Sequence, residues 1–339
     1  MPTIDELVGA ARLPGPPGTR AAARLMSILA DAPHRLPEVY RAAGSLAGGR
    51  SPQQLPRLLL GLTGAPGTGK STLTDALVRE WRGRHPDRRI GVVAVDPSSP
   101  FTGGAVLGDR VRMMRHATDP GVYVRSMASR GHLGGLALGV KGVVRVMGVI
   151  GCDVVVVETV GVGQSEVEVA SVADLVVVVL APGLGDGVQM LKAGLMEIGD
   201  LFVVNKADRP EAGRLHAELV SMLRLSGAAD GAEPRTQLVS AEEGLGVGAL
   251  VDALEARTMR DGERWQARRR LMIEDEVREA ILEEARRRLG RTLAALPGDA
   301  APVAGVLDGR LSVGEAARQL LQATCRSGAG ERETGEGAR

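Results

Sequence analysis

The stretch Gly64-Ala65-Pro66-Gly67-Thr68-Gly69-Lys70-Ser71 decides how the rest of this chain is read. It stands between the apolar run Leu58-Leu59-Leu60-Gly61-Leu62 and the helical pattern opening Ser71-Thr72-Leu73-Thr74-Asp75-Ala76-Leu77-Val78. The spacing is G-x-x-x-x-G-K-[ST] between a strand and a helix, the setting in which such a loop wraps phosphates. Its glycines let backbone N–H groups come close, and the helix N-terminus adds a favourable dipole. Gly64 to Thr72 are therefore the candidate phosphate-binding residues. Lys70 is placed for the β- and γ-phosphates and the Ser71 hydroxyl for Mg²⁺. A nucleotide is the expected ligand.

Working outward, short apolar runs alternate with helical segments from Arg57 to about Leu254. Strands are expected at Leu58–Thr63, Ile90–Val95, Val122–Arg125, Val154–Glu158, Leu175–Leu180, Leu201–Val204 and Gln237–Val239. Their Val-rich, non-alternating character predicts strands covered on both faces, hence an α/β fold with a mostly parallel sheet wound by helices. In such a sheet the ligand lies beyond the carboxyl ends of the strands. Helical patterns at Arg20–Leu29 and Leu36–Leu46 come before it, and Gly48-Gly49-Arg50-Ser51-Pro52 reads as a junction. After it, Ile273, Val277, Ile281, Ala285 and Leu289 recur every four residues, the pattern of a long amphipathic helix. The triplets Arg268-Arg269-Arg270 and Arg286-Arg287-Arg288 read as a solvated face, the alternative being a partner surface. A short helix at Val313–Leu321 and a Gly/Glu/Arg-rich tail from Arg326 complete the chain. The expected division is an N-terminal helical extension over 1–50, the nucleotide domain over 51–258, a helical arm over 259–325 and a disordered tail over 326–339.

Composition narrows the function classes. The 42 Lys plus Arg nearly balance 41 Asp plus Glu, so charge makes no case for nucleic acid or an anionic membrane as partner. Only two Phe, two Tyr and two Trp occur, too few for stacking on single strands. Cys152 and Cys325 match no metal or redox spacing. The longest apolar region, Val143 to Val157, is broken by Arg145 and Asp153 and falls short of a membrane span. No signal peptide is visible, and a soluble, cytoplasmic chain is expected.

Polar motifs close several strands. The second ends in Asp96-Pro97-Ser98-Ser99-Pro100-Phe101-Thr102-Gly103-Gly104. Asp96 there suits a Mg²⁺-bound water or the attacking water, or else a simple turn before Pro97. Asp109 is a second candidate for the metal site, or a helix N-cap. The fourth strand ends in Glu158-Thr159-Val160-Gly161-Val162-Gly163-Gln164-Ser165-Glu166. A carboxylate here belongs to the Mg²⁺ shell, and the Gly161 N–H can meet a γ-phosphate because no side chain blocks it. Asn205-Lys206-Ala207-Asp208 follows the sixth strand. Asp208 can accept from the N1–H and 2-amino group of guanine, which adenine does not offer, and a buried carboxylate would penalise the wrong base. Asn205 would tie this loop to the phosphate loop or the base, and the Lys206 stem would cover the ring. Ser240-Ala241 fits a loop whose backbone N–H reads guanine O6. The expected cofactors are GTP/GDP and Mg²⁺. The segment Gly183 to Lys192, with Asp186 and Gln189, is either an ordinary mobile loop or an added functional element.

With these motifs assembled, the chain resembles the MeaB/ArgK branch of the metallochaperone-type P-loop GTPases. Val95 to Gly104 and Glu158 to Glu166 carry most of the likeness, joined near the end by Leu311-Ser312-Val313-Gly314-Glu315-Ala316-Ala317. The resemblance implies a GTP-hydrolysing chaperone that gates cofactor loading and protects an adenosylcobalamin-dependent acyl-CoA mutase, methylmalonyl-CoA mutase being the usual partner. It also implies that Asp186, Gln189 and Lys192 lie on a switch that reports the partner, and that the C-terminal arm makes a homodimer. An isobutyryl-CoA or ethylmalonyl-CoA mutase would fit as partner too. The alternative is a nickel- or cobalt-insertion GTPase of the same superfamily, but His34, His85, His116, His132 and His216 form no sequence cluster with the cysteines.

Overall fold

The computed structural model describes residues 2–13, 15–32, 35–46, 55–97, 116, 118–129, 137–159, 169–183, 194–225, 235–260, 262–295 and 301–322. The chain divides into two compact units, Met1–Ile273 and Glu274–Arg339.

The first unit is built on a seven-stranded sheet in the order β3-β2-β4-β1-β5-β6-β7, every pairing parallel. The strands are β1 (Leu58–Thr63), β2 (Arg89–Pro97), β3 (Val122–Ser129), β4 (Cys152–Thr159), β5 (Leu175–Leu180), β6 (Leu201–Val204) and β7 (Thr236–Leu238). All seven expected strands are present. Helices α1 (Ile4–Ala11), α2 (Pro16–Asp31) and α3 (Leu36–Leu46) come first. Then α4 (Lys70–Arg84), α5 (Ala137–Val149), α6 (Leu195–Ile198), α7 (Glu211–Leu225) and α8 (Val247–Arg260) alternate with strands. Helix α9 runs from Gly262 to Ala295.

Two cores explain the unbroken valine runs. Leu59, Val93, Val155, Val157, Val176 and Val178 face a core closed by α1, α2, α3, α5 and α7. Leu58, Leu60, Val92, Val154, Val156, Val177 and Val179 face a second core closed by α4 and α8. Successive strand residues point to opposite faces, so when both faces are covered every position must be apolar. The N-terminal helices thus share a core with the sheet. The first of them was not anticipated from hydrophobic period, yet it carries a capping box: Thr3 N donates to Glu6 and Glu6 N donates to the Thr3 hydroxyl.

Arg268 and Arg269 of the first arginine triplet depart from their reading as a solvated face, while Arg270 is exposed. Arg269 donates from Nε and Nη2 to the Asp174 carboxylate at 2.6 and 2.5 Å, and Arg268 donates to Asp200 at 2.8 Å. Asp174 in turn accepts the Leu59 N–H at 2.9 Å, and Asp200 accepts the Val176 N–H at 2.9 Å. The start of α9, with Trp265 and Met272 buried, is therefore pinned beneath the amino ends of β1 and β5.

In the second unit, the remainder of α9 keeps Val277, Ile281 and Leu282 exposed. Glu284 accepts from Arg287 and Arg288, and these two guanidinium groups pull its carboxyl down to a pKa of about 2. This triplet is the solvated face expected. Helix α10 (Ala301–Leu307) follows, and a Ser312/Glu315 capping box opens a helix over 313–322. The tail from Arg326 lies outside the described residues.

Candidate nucleotide-binding site

The loop Gly64 to Gly69 leaves the carboxyl end of β1, in mid-sheet between β4 and β5, and runs into α4. Two glycines are required by what surrounds them. Gly64 has φ +135°, and a Cβ there would lie 2.2 Å from the Val179 carbonyl oxygen. Gly69 caps α4 in the left-handed region at φ +90°, and its Cβ would meet Asn205 Nδ2 at 2.5 Å. Lys70 is buried and curls over the loop, its ammonium donating to Gly64 O at 2.7 Å and Ala65 O at 3.1 Å. The Thr68 hydroxyl donates to Ala65 O at 2.9 Å, which tightens the turn. Pro66 and Gly67 are exposed at its crest, and Thr72 is half-buried in the first turn of α4.

Ser71 and Glu158 meet. The Ser71 hydroxyl lies 2.5 Å from one oxygen of Glu158, and the Thr74 hydroxyl lies 3.0 Å from the other. Glu158 is buried at the carboxyl end of β4, in register with Leu62 of β1 and Ala94 of β2. Two elements far apart in sequence thus bring two hard oxygen donors together, the ligand type Mg²⁺ takes alongside phosphate oxygens. The donor chemistry fits that ion. Asp96 closes β2 one register step from the carboxyl end, paired with Ala128 of β3, as expected from its sequence position. Asp109, Gly161, Asp186, Gln189 and Lys192 lie outside the described residues.

The loop after β6 is wired to the phosphate loop. Asn205 is buried; its Nδ2 donates to Thr68 O at 2.8 Å and its Oδ1 accepts from Ala241 N at 3.0 Å. The phosphate loop, one of the two partners the sequence left open for Asn205, is within its reach here. Lys206 sits in the left-handed region at φ 59°, a conformation costly for a residue with a Cβ, and its ammonium reaches Gly67 O at 2.8 Å. The Ser240 hydroxyl donates to Asp208 at 2.6 Å, and this bond is the first cause holding the Asp208 carboxyl below its usual range. The backbone N–H groups of Ser240 and Ala241 are both engaged, with Leu245 O and Asn205 respectively. One expectation needs correction: Asp208 is exposed, not buried. The loop tip faces solvent while Asn205 beneath it is enclosed.

A phosphate loop on a central parallel strand, with Glu158 beside it and a second loop clasping it, defines a P-loop NTPase. The chain belongs to the MeaB family: the model of the methylmalonyl Co-A mutase-associated GTPase MeaB matches residues 41–292. A Pyrococcus abyssi protein whose name describes it as a GTPase is 52% identical over 200 residues, 59% of each chain. A Caenorhabditis elegans methylmalonic aciduria type A homolog, mitochondrial, is 39% identical over 168 residues, 49% of this chain and 42% of that one. These alignments span less than two thirds of the relatives' length. The solved structure of a LAO/AO transport system kinase superposes with a TM-score of 0.62 at 25% identity, covering 94% of this chain and 97% of that chain. Among the described residues no helix is long and apolar enough to cross a membrane.

Proposed function

We propose that this protein hydrolyses GTP and serves as a chaperone of an adenosylcobalamin-dependent acyl-CoA mutase, methylmalonyl-CoA mutase being the first candidate. The observation that carries the nucleotide part is the clasp of Asn205 and Lys206 on Thr68 O and Gly67 O. It ties the loop that carries Asp208 to the phosphate loop, which supports a reading in which base and phosphates of one nucleotide are bound together. The partner part is supported by the name of the family model and by the methylmalonic aciduria relative.

In the mechanism, backbone N–H groups of Gly67 to Ser71 and the Lys70 ammonium hold the phosphates and stabilise charge on the transferring group. Lys70 leaves its carbonyl partners for the β- and γ-phosphates. Ser71 and Glu158, with Asp96 and Asp109 as further candidates, would hold Mg²⁺, which neutralises charge on the phosphate oxygens when bound. Asp96 orients the attacking water, and the Gly161 N–H meets the γ-phosphate until hydrolysis releases it. Asp208 reads the guanine ring, and the Ser240–Asp208 bond presets its carboxylate. The Gly183–Lys192 segment, through Asp186, Gln189 and Lys192, couples the partner to the site. The exposed Val277 and Ile281 on α9 suit a homodimer contact.

The test is GTP hydrolysis by the purified protein, with and without an adenosylcobalamin mutase from the same source. Stimulation with GTP and none with ATP is the expected result. No stimulation together with no complex would reject the chaperone part while leaving nucleotide binding to be judged separately.

A further inference from the structure

Glu158 raises a problem that a shorter side chain would not. A glutamate has one more rotatable bond than an aspartate, and its terminal torsion is broad, so burial alone does not set the plane of its carboxylate. Two hydroxyls do so here, one on each oxygen. Ser71 Oγ is 2.5 Å from Oε1, and Thr74 Oγ1 is 3.0 Å from Oε2. Ser71 and Thr74 stand three residues apart on α4 and so share a face, and Thr74 is fully buried.

Thr74 has a second acceptor within reach, the Lys70 carbonyl one turn earlier, also at 3.0 Å. A hydroxyl carries one proton, so it serves one of the two at a time. The ordinary role of a helical threonine is this back-bond to the preceding turn. The carboxylate is the stronger acceptor, because a bond to an ionised group is shorter and stronger than one to a neutral carbonyl. A carboxylate in so enclosed a place also loses most when a donor is withdrawn.

We infer that Thr74 is a positioning residue: its hydroxyl fixes the second oxygen of Glu158 and thereby turns the first toward Ser71 and the Mg²⁺ site. The inference rests on the nucleotide and Mg²⁺ reading above and adds a residue to it. Ser71 touches the metal site directly, whereas Thr74 acts only through Glu158. In this chain Glu158 would thus serve the metal site with its carboxylate held by the Thr74 hydroxyl, one helical turn after the phosphate-loop serine.

The experiment is a Mg²⁺ titration of the binding of a fluorescent GDP analogue to wild type, Thr74→Val and Thr74→Ser, read as the Mg²⁺ midpoint and as the ratio of affinities with and without the ion. Loss of an outer partner of a metal ligand costs about 10- to 100-fold in metal affinity. Thr74→Val, which keeps the shape, should raise the midpoint by about tenfold or more. Thr74→Ser, which keeps the hydroxyl and drops the methyl, should stay near wild type. A role in packing or in the helix back-bond would lower affinity equally with and without Mg²⁺, and packing would leave the serine variant impaired. A Thr74→Val midpoint equal to wild type, or a serine variant as impaired as the valine one, overturns the inference. A wild-type protein that binds GDP without any Mg²⁺ effect overturns instead the metal reading on which it rests. Should Thr74→Val not fold, Thr74→Cys, a weak donor of similar size, takes its place with the same expectation of a raised midpoint.

Discussion

Removing the carboxylate of Asp174 is the sharpest test of how the sheet and the start of α9 are joined. The Asp174 side chain is fully buried, and it accepts two bonds from Arg269 and one from Leu59 N. Its own N–H donates to Leu59 O at 2.7 Å, so the residue clasps β1 from both sides. Breaking a buried pair by deleting one partner costs about 3–5 kcal/mol. Arg269 is one quarter exposed and keeps Pro56 O as an acceptor at 2.7 Å, which places its share near the bottom of that range. The Leu59 N–H left without an acceptor adds about 1 kcal/mol or more. Asp174→Ala should therefore destabilise by about 4 kcal/mol. Asp174→Asn keeps an oxygen for Leu59 N and loses only the charge-assisted part, about 2 kcal/mol.

The assay is thermal and urea unfolding of the nucleotide-free protein, since bound nucleotide would raise stability by mass action and blur the comparison. At roughly 2 °C per kcal/mol for a unit of this size, the alanine variant should melt about 8 °C lower and the asparagine variant about 4 °C lower. Arg269→Met combined with Asp174→Ala should cost less than the two single changes added together, because each single change already breaks the shared contact. An alanine variant within about 1 kcal/mol of wild type, or strict additivity in the cycle, would refute the argument that these charges are held out of water and depend on each other.

Lys70→Ala should abolish tight GTP binding, and normal affinity by calorimetry would overturn the phosphate-loop assignment. Asp208→Asn should shift preference from guanine toward xanthine nucleotides; an unchanged preference in competition assays would sink the base-reading claim. The Asp208 carboxyl is held below its usual value of 3.8, first by Ser240, so its ionised form and the bond it makes are complete above that pH and lost only as pH falls through the lowered value. GDP affinity should accordingly show no loss from this group above about pH 5, and a step in that window which Asp208→Asn removes would contradict the assignment. Lys192→Ala should bring the ratio of mutase-stimulated to basal turnover toward one, and retained stimulation would return the Gly183–Lys192 segment to an ordinary loop.

What the sequence made legible is what depends on neighbours along the chain or on a strict spacing. The strands were readable because burial on both faces leaves no room for polar residues, so Val154 to Val157 announce their own environment. The phosphate loop was readable because wrapping phosphates demands a few residue types at set intervals between a strand and a helix, and the structure brings the Asn205–Asp208 loop against it. Helix α1 was also within reach, since Thr3 and Glu6 form a capping box that hydrophobic period alone passes over. The arginine triplets mark the limit. Arg268-Arg269-Arg270 and Arg286-Arg287-Arg288 look alike as strings. The second finds Glu284 on its own helix and stays at the surface. The first finds Asp174 and Asp200, which enter only because strands β5 and β6 begin where the sheet places them. Thr74 is hidden for the same reason: nothing in Ser71-Thr72-Leu73-Thr74 says which hydroxyl will face Glu158, because that depends on β4 lying beside β1. Charge and hydroxyl groups are versatile, so their role is assigned by the partner that the topology delivers. Apolar runs and glycine spacings have few uses, and for that reason they declare their role before the fold is known.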